Sequence, residues 1–204
     1  MKEIRAFNFE VRAEENEEHG HFLTGQPIVY NERTDLGWYD EIIDNNALAE
    51  TDLRDVRFLV NHNTDMIPLA RSRNNNANST MQMEVRENIG MSIRVDLDTE
   101  NNTDSRNLYS AVGRGDISGM SFMFIVDEDS WEDIDSDHPT RHIRSISRVL
   151  EVSAVTFPAY EATSIQTRGL AEALESAKAS LDSVKSAKAE LERRKQKIRI
   201  LTEV

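Results

Sequence analysis

The chain has 204 residues, of which 38% are hydrophobic and 30% charged, with no cysteine and a net charge of −13. That length carries one domain with a real core and an appendage. Disulfides, thiolate metal sites and a cysteine nucleophile are excluded, and no run approaches the ~18 apolar residues of a membrane-spanning helix. The opening "MKEIRAFNFEVRAEENEE" has no apolar core, so no signal peptide is expected. The charge is uneven: residues 170–204 hold eight Lys/Arg and six Asp/Glu, which leaves −15 on residues 1–169. So acidic a body repels phosphate backbones, and no nucleic-acid partner is expected. It favours basic protein surfaces, although solubility accounts for the charge equally well.

The body reads as β-rich. "EIRAFNFEVRAE" sets Ile4, Ala6 and Asn8 against Phe7, Phe9 and Val11, the period of a half-buried strand. "GHFLTGQPIVYNE" reads as strand, glycine-containing break, strand. "NALAETDLRD" suits a short helix. "TDLRDVRFLVNHN" closes on the apolar run Phe58, Leu59, Val60. "MQMEVRENIGMSIRVDL" is a predicted hairpin with "ENIG" as its turn. "TDSRNLYSAVGRG" predicts a helix capped by Thr103 or Asp104, buried through Leu108, Tyr109 and Val112, and ended by Gly113 or Gly115.

"SGMSFMFIV" and "HIRSISRVLEVSAVTFP" are the last two predicted strands, and the acidic stretch 127–140 between them reads as an exposed loop. Short strands at this spacing fit a sandwich or barrel. "AYEATSIQTRG" is polar and linker-like. From Leu170 the chain is rich in Ala, Glu, Lys and Leu, and Leu170, Leu174, Ala177, Leu181, Val184, Leu191 and Ile198 follow a coiled-coil seam interrupted by Lys188 and Lys195. One long helix over 170–200 is predicted, self-associating or else packed on the body.

Three residues stand out for chemistry. His62 lies one residue beyond "FLV", after Asn61, where a buried strand emerges into a polar loop, which is a stiff mount for a general base. His19 and His21 are read in a glycine-flanked loop, and no histidine pair has the spacing of a zinc site. Ser121 begins the strand "FMFIV", and Ser118 lies in the turn before it. A nucleophile needs a rigid mount, a base and N–H groups for an oxyanion, and a turn at Gly119 could supply the last. The local pattern alone suits an ordinary strand serine better. Glu151 is a lone charge inside "VLEVSAVTF". A carboxylate in an apolar run needs a partner, either Arg144 or Arg148 on a solvent face or an imidazole that it orients.

Taken in order, "FEVRAEENEEHGHFLTGQPIVYNERTDLGWYDEII", "FLVNHNTDMIPLAR", "GDISGMSFMF" and "LEVSAVTFPAYEA" resemble the four blocks of the HK97-type prohead proteases of tailed bacteriophages, over residues 2–165. The departures are Met123 where a glycine is common, Ala47-Leu48 for Gly-Ala-Phe, and Leu69-Ala70-Arg71 for a Gly-Arg ending. The resemblance implies a mainly β fold with flanking helices (α+β), an assemblin-like β-barrel plus the long C-terminal helix. Its units would be a protease domain over 1–160, a linker over 161–169 and a helical tail over 170–204. It also implies a serine endopeptidase with His62 as base, Ser121 rather than Ser118 as nucleophile and Glu151 as third member, and no cofactor or metal.

The partners it implies are the major capsid protein and scaffold segments, met inside the assembling prohead in the host cytoplasm. It implies self-cleavage in the linker and a homo-oligomer, with a dimer as one form, and no nucleic-acid or membrane partner. The rival readings are a non-enzymatic capsid assembly or scaffold protein that retains the fold, and an esterase of small molecules.

Overall fold

The computed structural model describes residues 2–7, 11–18, 20–156 and 168–202. Eleven strands and two helices follow in chain order: β1 (Lys2–Phe7), β2 (Val11–Asn16), β3 (Gly20–Val29), β4 (Arg33–Asp35), β5 (Asp40–Ile43), β6 (Asp55–Val60), β7 (Ala70–Arg73), β8 (Met81–Arg86), β9 (Gly90–Asp96), α1 (Thr103–Arg114), β10 (Gly119–Glu132), β11 (Thr140–Val155) and α2 (Arg168–Thr202). They form a seven-stranded sheet, ordered β1-β10-β11-β5-β4 with β6 and β7 joined through β11, and a four-stranded sheet, β2-β3-β9-β8. The mainly β class with flanking helices is as expected. The barrel is corrected: among the described residues the strands form two sheets and no closed barrel.

The sheets bury one core between them. Leu23, Ile28, Met81 and Val95 of the small sheet join Phe58, Phe122, Phe124 and Val152 of the large one, with Leu108 and Val112 of α1 filling one end. The predicted hairpin is β8–β9. Its Gly90 has a φ of +128°, and a Cβ there would lie 2.0 Å from the Ile28 carbonyl oxygen, so only glycine lets β3 pass so close. The predicted first strand divides between the sheets as β1 and β2, and residues 8–10 lie outside the described residues. The break in "GHFLTGQPIV" is a register shift between Gly25 and Ile28 within the single strand β3.

β11 organises the large sheet. One edge pairs antiparallel with β10. The other pairs parallel with β5 over Thr140–Ile143 and then with β6 over Glu151–Ala154. The segment between β5 and β6 is the predicted helix "NALAETDLRD", and it forms turns instead. Its backbone is bonded to the middle of β11: Ile146 N–H donates to Ala47 and Asp52 N–H to Ser147. Asn46, at φ 66°, breaks any helical path.

α1 is where the sequence placed it, with a different cap: the Asn102 side chain accepts from the Asp104 and Ser105 N–H groups, and Gly115 ends the helix at φ 79°. The acidic stretch is strand as far as Glu132, because β10 continues through register shifts after Ile125. α2 packs its first half on the body through Ala173, Ala177 and Leu181, whereas Leu191 and Ile198 stay exposed. Most of the predicted linker lies outside the described residues.

Candidate active site

β6 and β11 run side by side, so Val60 ends level with Ala154. Beyond Val60 the chain must reverse to cross β11. Two consecutive left-handed residues, Asn61 (φ 50°) and His62 (φ 56°), make that reversal. Asparagine and histidine are among the non-glycine residues that tolerate it best, but the conformation persists only when its surroundings enforce it. Here Asn61 N–H donates to the Ala154 carbonyl at 3.0 Å. The Asn61 amide exchanges two bonds with Thr156, to its Oγ1 at 3.1 Å and from its N–H at 2.9 Å. His62 N–H donates to Ser153 Oγ at 3.1 Å.

The reversal lays the imidazole over β11. His62 Nδ1 lies 2.6 Å from Glu151 Oε1, and the two side chains are 10% and 4% exposed. The partners weighed for Glu151 from sequence go elsewhere: Arg144 pairs with Asp44, and Arg148 with Asp52. The other Glu151 oxygen, Oε2, accepts from Ser153 Oγ at 2.6 Å. No described residue bonds His62 Nε2. With a carboxylate on Nδ1, the ring carries its proton there, which leaves Nε2 as the basic nitrogen.

Ser121 sits in β10 directly opposite Ser153. Opposed residues of an antiparallel pair project to the same face, so Ser121 lies one strand spacing, about 5 Å, from the residue that ties Glu151 to His62. Its hydroxyl is fully buried and donates to the Arg5 carbonyl of β1 at 2.7 Å. A serine hydroxyl has one proton, so in this arrangement it is not given to His62. Attack therefore requires Ser121 to leave the Arg5 carbonyl and turn toward Nε2.

Ser118 is exposed in the coil before β10. Gly119 is a strand residue paired with Val155 rather than a turn, so the predicted turn donors are not formed there. Met123, where a glycine was expected, pairs with Ile4 on one side and Glu151 on the other. An open groove of about 480 Å³ adjoins the His62 loop, lined by Val60, Asn61, Asn63, Met66, Leu108 and Ile117 among others.

The remaining described histidines are committed elsewhere. His21 contacts Thr99 at 2.6 Å, His138 contacts Asp40 at 3.0 Å and His142 contacts Asp44 at 2.7 Å; His19 lies outside the described residues. His138, Asp35 and Asp40 come close enough to share an ion, but His138 and Asp35 are exposed, and Asp40 is already paired with Arg33.

Two features escaped the sequence reading. Ser153 was one, although Glu-x-Ser on a strand places both side chains on one face. The other is a buried charge network at the far end of β10 and β11. Glu3, Arg5, Glu41 and Arg141 are each at most 2% exposed. Arg5 holds Glu3 at 2.6 Å and Glu41 through Nε, and Arg141 holds Glu3 at 2.8 Å and Asp129 at 2.7 Å. α2 joins it: Ser176 donates to Glu3 at 3.2 Å, and Ser180 to Asp129 at 2.9 Å. Burial pushes Glu3 up, but the Arg5 and Arg141 guanidiniums outweigh it and hold the carboxyl below its ordinary value. Burial raises Tyr39 beside the network well above the usual phenol range.

An imidazole held on a buried carboxylate, beside a strand that carries a serine, has the parts of an acyl-transfer hydrolase. The family model described as caudovirus prohead serine protease matches residues 7–178, and the chain belongs to that family of serine peptidases. No curated protein and no solved structure matches the chain.

Proposed function

We propose that Ser121, His62 and Glu151 are the catalytic triad of this prohead protease. The observation that carries the reading is the 2.6 Å contact from Glu151 to His62 Nδ1, with Ser121 on the strand alongside. Ser121 turns from the Arg5 carbonyl and gives its proton to His62 Nε2 as Oγ attacks a peptide carbonyl. The tetrahedral intermediate collapses, the C–N bond breaks, and His62 returns the proton to the leaving amine. Water then attacks the acyl-enzyme by the same route, and Ser121 is regenerated. Glu151 fixes the imidazole tautomer and stabilises the imidazolium.

The substrates under this proposal are scaffold segments and the major capsid protein, cleaved inside the assembling prohead in the host cytoplasm, and the chain's own segment ahead of α2. The exposed distal seam of α2, Leu191 and Ile198, supports docking on scaffold helices or on a second copy of the chain.

The test is labelling by a fluorophosphonate, followed by peptide mass mapping. Label on Ser121 in the wild-type chain, and none in His62→Ala, is expected. A folded wild-type chain that takes no label at Ser121, alone or co-assembled with its capsid protein, would overturn the triad. That result would favour the second reading, a non-enzymatic assembly protein, which the buried Ser121–Arg5 bond supports.

A further inference from the structure

We propose that Ser153 is the positioning residue of this site: its single hydroxyl sets the carboxylate and the base together. This inference rests on the reading of His62 and Glu151 as base and orienting acid. Ser153 is fully buried in β11, two residues from Glu151 and on the same face. Its one proton goes to Glu151 Oε2 at 2.6 Å. Its lone pair receives the His62 backbone N–H at 3.1 Å. Glu151 therefore has one oxygen on Ser153 and the other on His62 Nδ1, and the carboxylate plane is fixed at both ends. The same hydroxyl anchors the left-handed backbone from which the imidazole projects. A group that orients a ligand or base from behind acts through geometry, and a misplacement of about 1 Å costs on the order of 10²-fold in rate.

Without the hydroxyl, Oε2 loses its described partner, the carboxylate can rotate, and the His62 backbone loses one of the bonds that hold φ positive. The imidazole is no longer held squarely on Glu151 and loses its aim. A purely structural serine would instead weaken the fold and leave any surviving site unchanged.

The experiment follows the low-field Nδ1–H proton of His62 by NMR in the full chain, with the rate of fluorophosphonate labelling beside it. The wild type should show the low-field proton, and Ser153→Ala should lose it while circular dichroism remains native. Ser153→Cys keeps the volume with a much weaker donor, so it should also lose the signal, and it covers the case in which the alanine variant does not fold. Labelling should slow about 10²-fold in Ser153→Ala. In a Glu151→Gln background the same substitution should slow it no further, because the two residues act as one unit. A persistent low-field proton in the folded variants, or an equal loss in both backgrounds, would overturn the proposal. A wild-type chain that shows the proton and takes no label overturns the Ser121 reading instead, and the NMR comparison still decides Ser153.

Discussion

The long pair β10–β11 carries a buried carboxylate cluster at each end, and the two are built on opposite principles. At one end Glu3, Glu41 and Asp129 meet Arg5 and Arg141, with Ser176 and Ser180 of α2 completing the network. Every one of those charges has an opposite charge in contact. At the other end Glu151 meets a histidine and a serine, and His62 Nε2 has no bond to a described residue. A saturated network holds shape; a network with one basic nitrogen left over can move a proton. Perturbing each end should separate the two roles, activity at one and stability at the other.

The largest effect belongs to Ser121. Ser121→Ala should lower hydrolysis of an activated ester by about 10⁵- to 10⁶-fold, with a melting temperature close to wild type. Glu151→Gln should cost about 10⁴-fold, because the amide presents the wrong hydrogen-bonding pattern to Nδ1. Steady-state kinetics beside thermal melts checks both. A variant that melts early and loses activity in proportion would place Glu151 with the structural network.

At the other end Arg141→Ala removes one of the two cations that serve Glu3 and Glu41, and the guanidinium that pairs with Asp129. Breaking a buried ion pair by removing one partner costs about 3–5 kcal/mol, which urea unfolding will read. The ester rate per folded molecule should stay near wild type, and a fall of more than about tenfold would show that the two ends communicate. Their shared element is β1, whose Arg5 gives its side chain to the network and its carbonyl to Ser121.

How far each end was legible in the sequence follows from the same contrast. His62 stood out as a titratable residue just beyond an apolar run, and Glu151 as a charge inside one. The structure brings them together because β6 and β11 happen to be parallel neighbours, and no local pattern announces that pairing. Ser153 was missed because serine is unremarkable in a strand, and only the proximity of His62 gives it two partners. The charge network was missed for a different reason. In "KEIRAF" charged and apolar residues alternate, and in "DEII" and "TRHIR" they are mixed, as on a solvated face. What makes that face interior is cover from α2 and from the neighbouring strands. The predicted helix "NALAETDLRD" failed likewise, since its backbone partners lie about a hundred residues away in β11. Fold class, the hairpin and α1 were legible because their signals are local.

Acid should act on the network through Glu3. Buried and held by two guanidiniums, its carboxyl is more acidic in the folded chain than its ordinary value of 4.5. As the pH falls, the unfolded chain therefore takes up the proton first. The stabilisation from Glu3 is full above about pH 4.5 and is lost as the pH drops through the lower folded value. Melting temperature against pH should fall below that point in the wild type and fall less steeply in Glu3→Gln. Equal slopes would mean that other carboxyls govern acid unfolding.

The smallest effect is expected where α2 leaves the body. Lys188 reaches Asp135 at 2.5 Å, and this pair holds the Asp135 carboxyl below its ordinary value, yet both side chains are at least half exposed. An exposed pair is screened by salt and must order two flexible partners. Lys188→Ala should therefore leave the melting temperature unchanged at physiological ionic strength. Its consequence is local. Ser176 and Ser180 tie α2 to buried Glu3 and half-buried Asp129, whereas Lys188 makes the last described bond between helix and body. Hydrogen exchange should show protection ending near residue 181 in the variant and nearer 188 in the wild type at low salt. Equal protection in the two chains would mean that the apolar face through Leu181 and the two serines seat the helix without Lys188, which would place α2's docking on that face and in the network that β1 shares with Ser121.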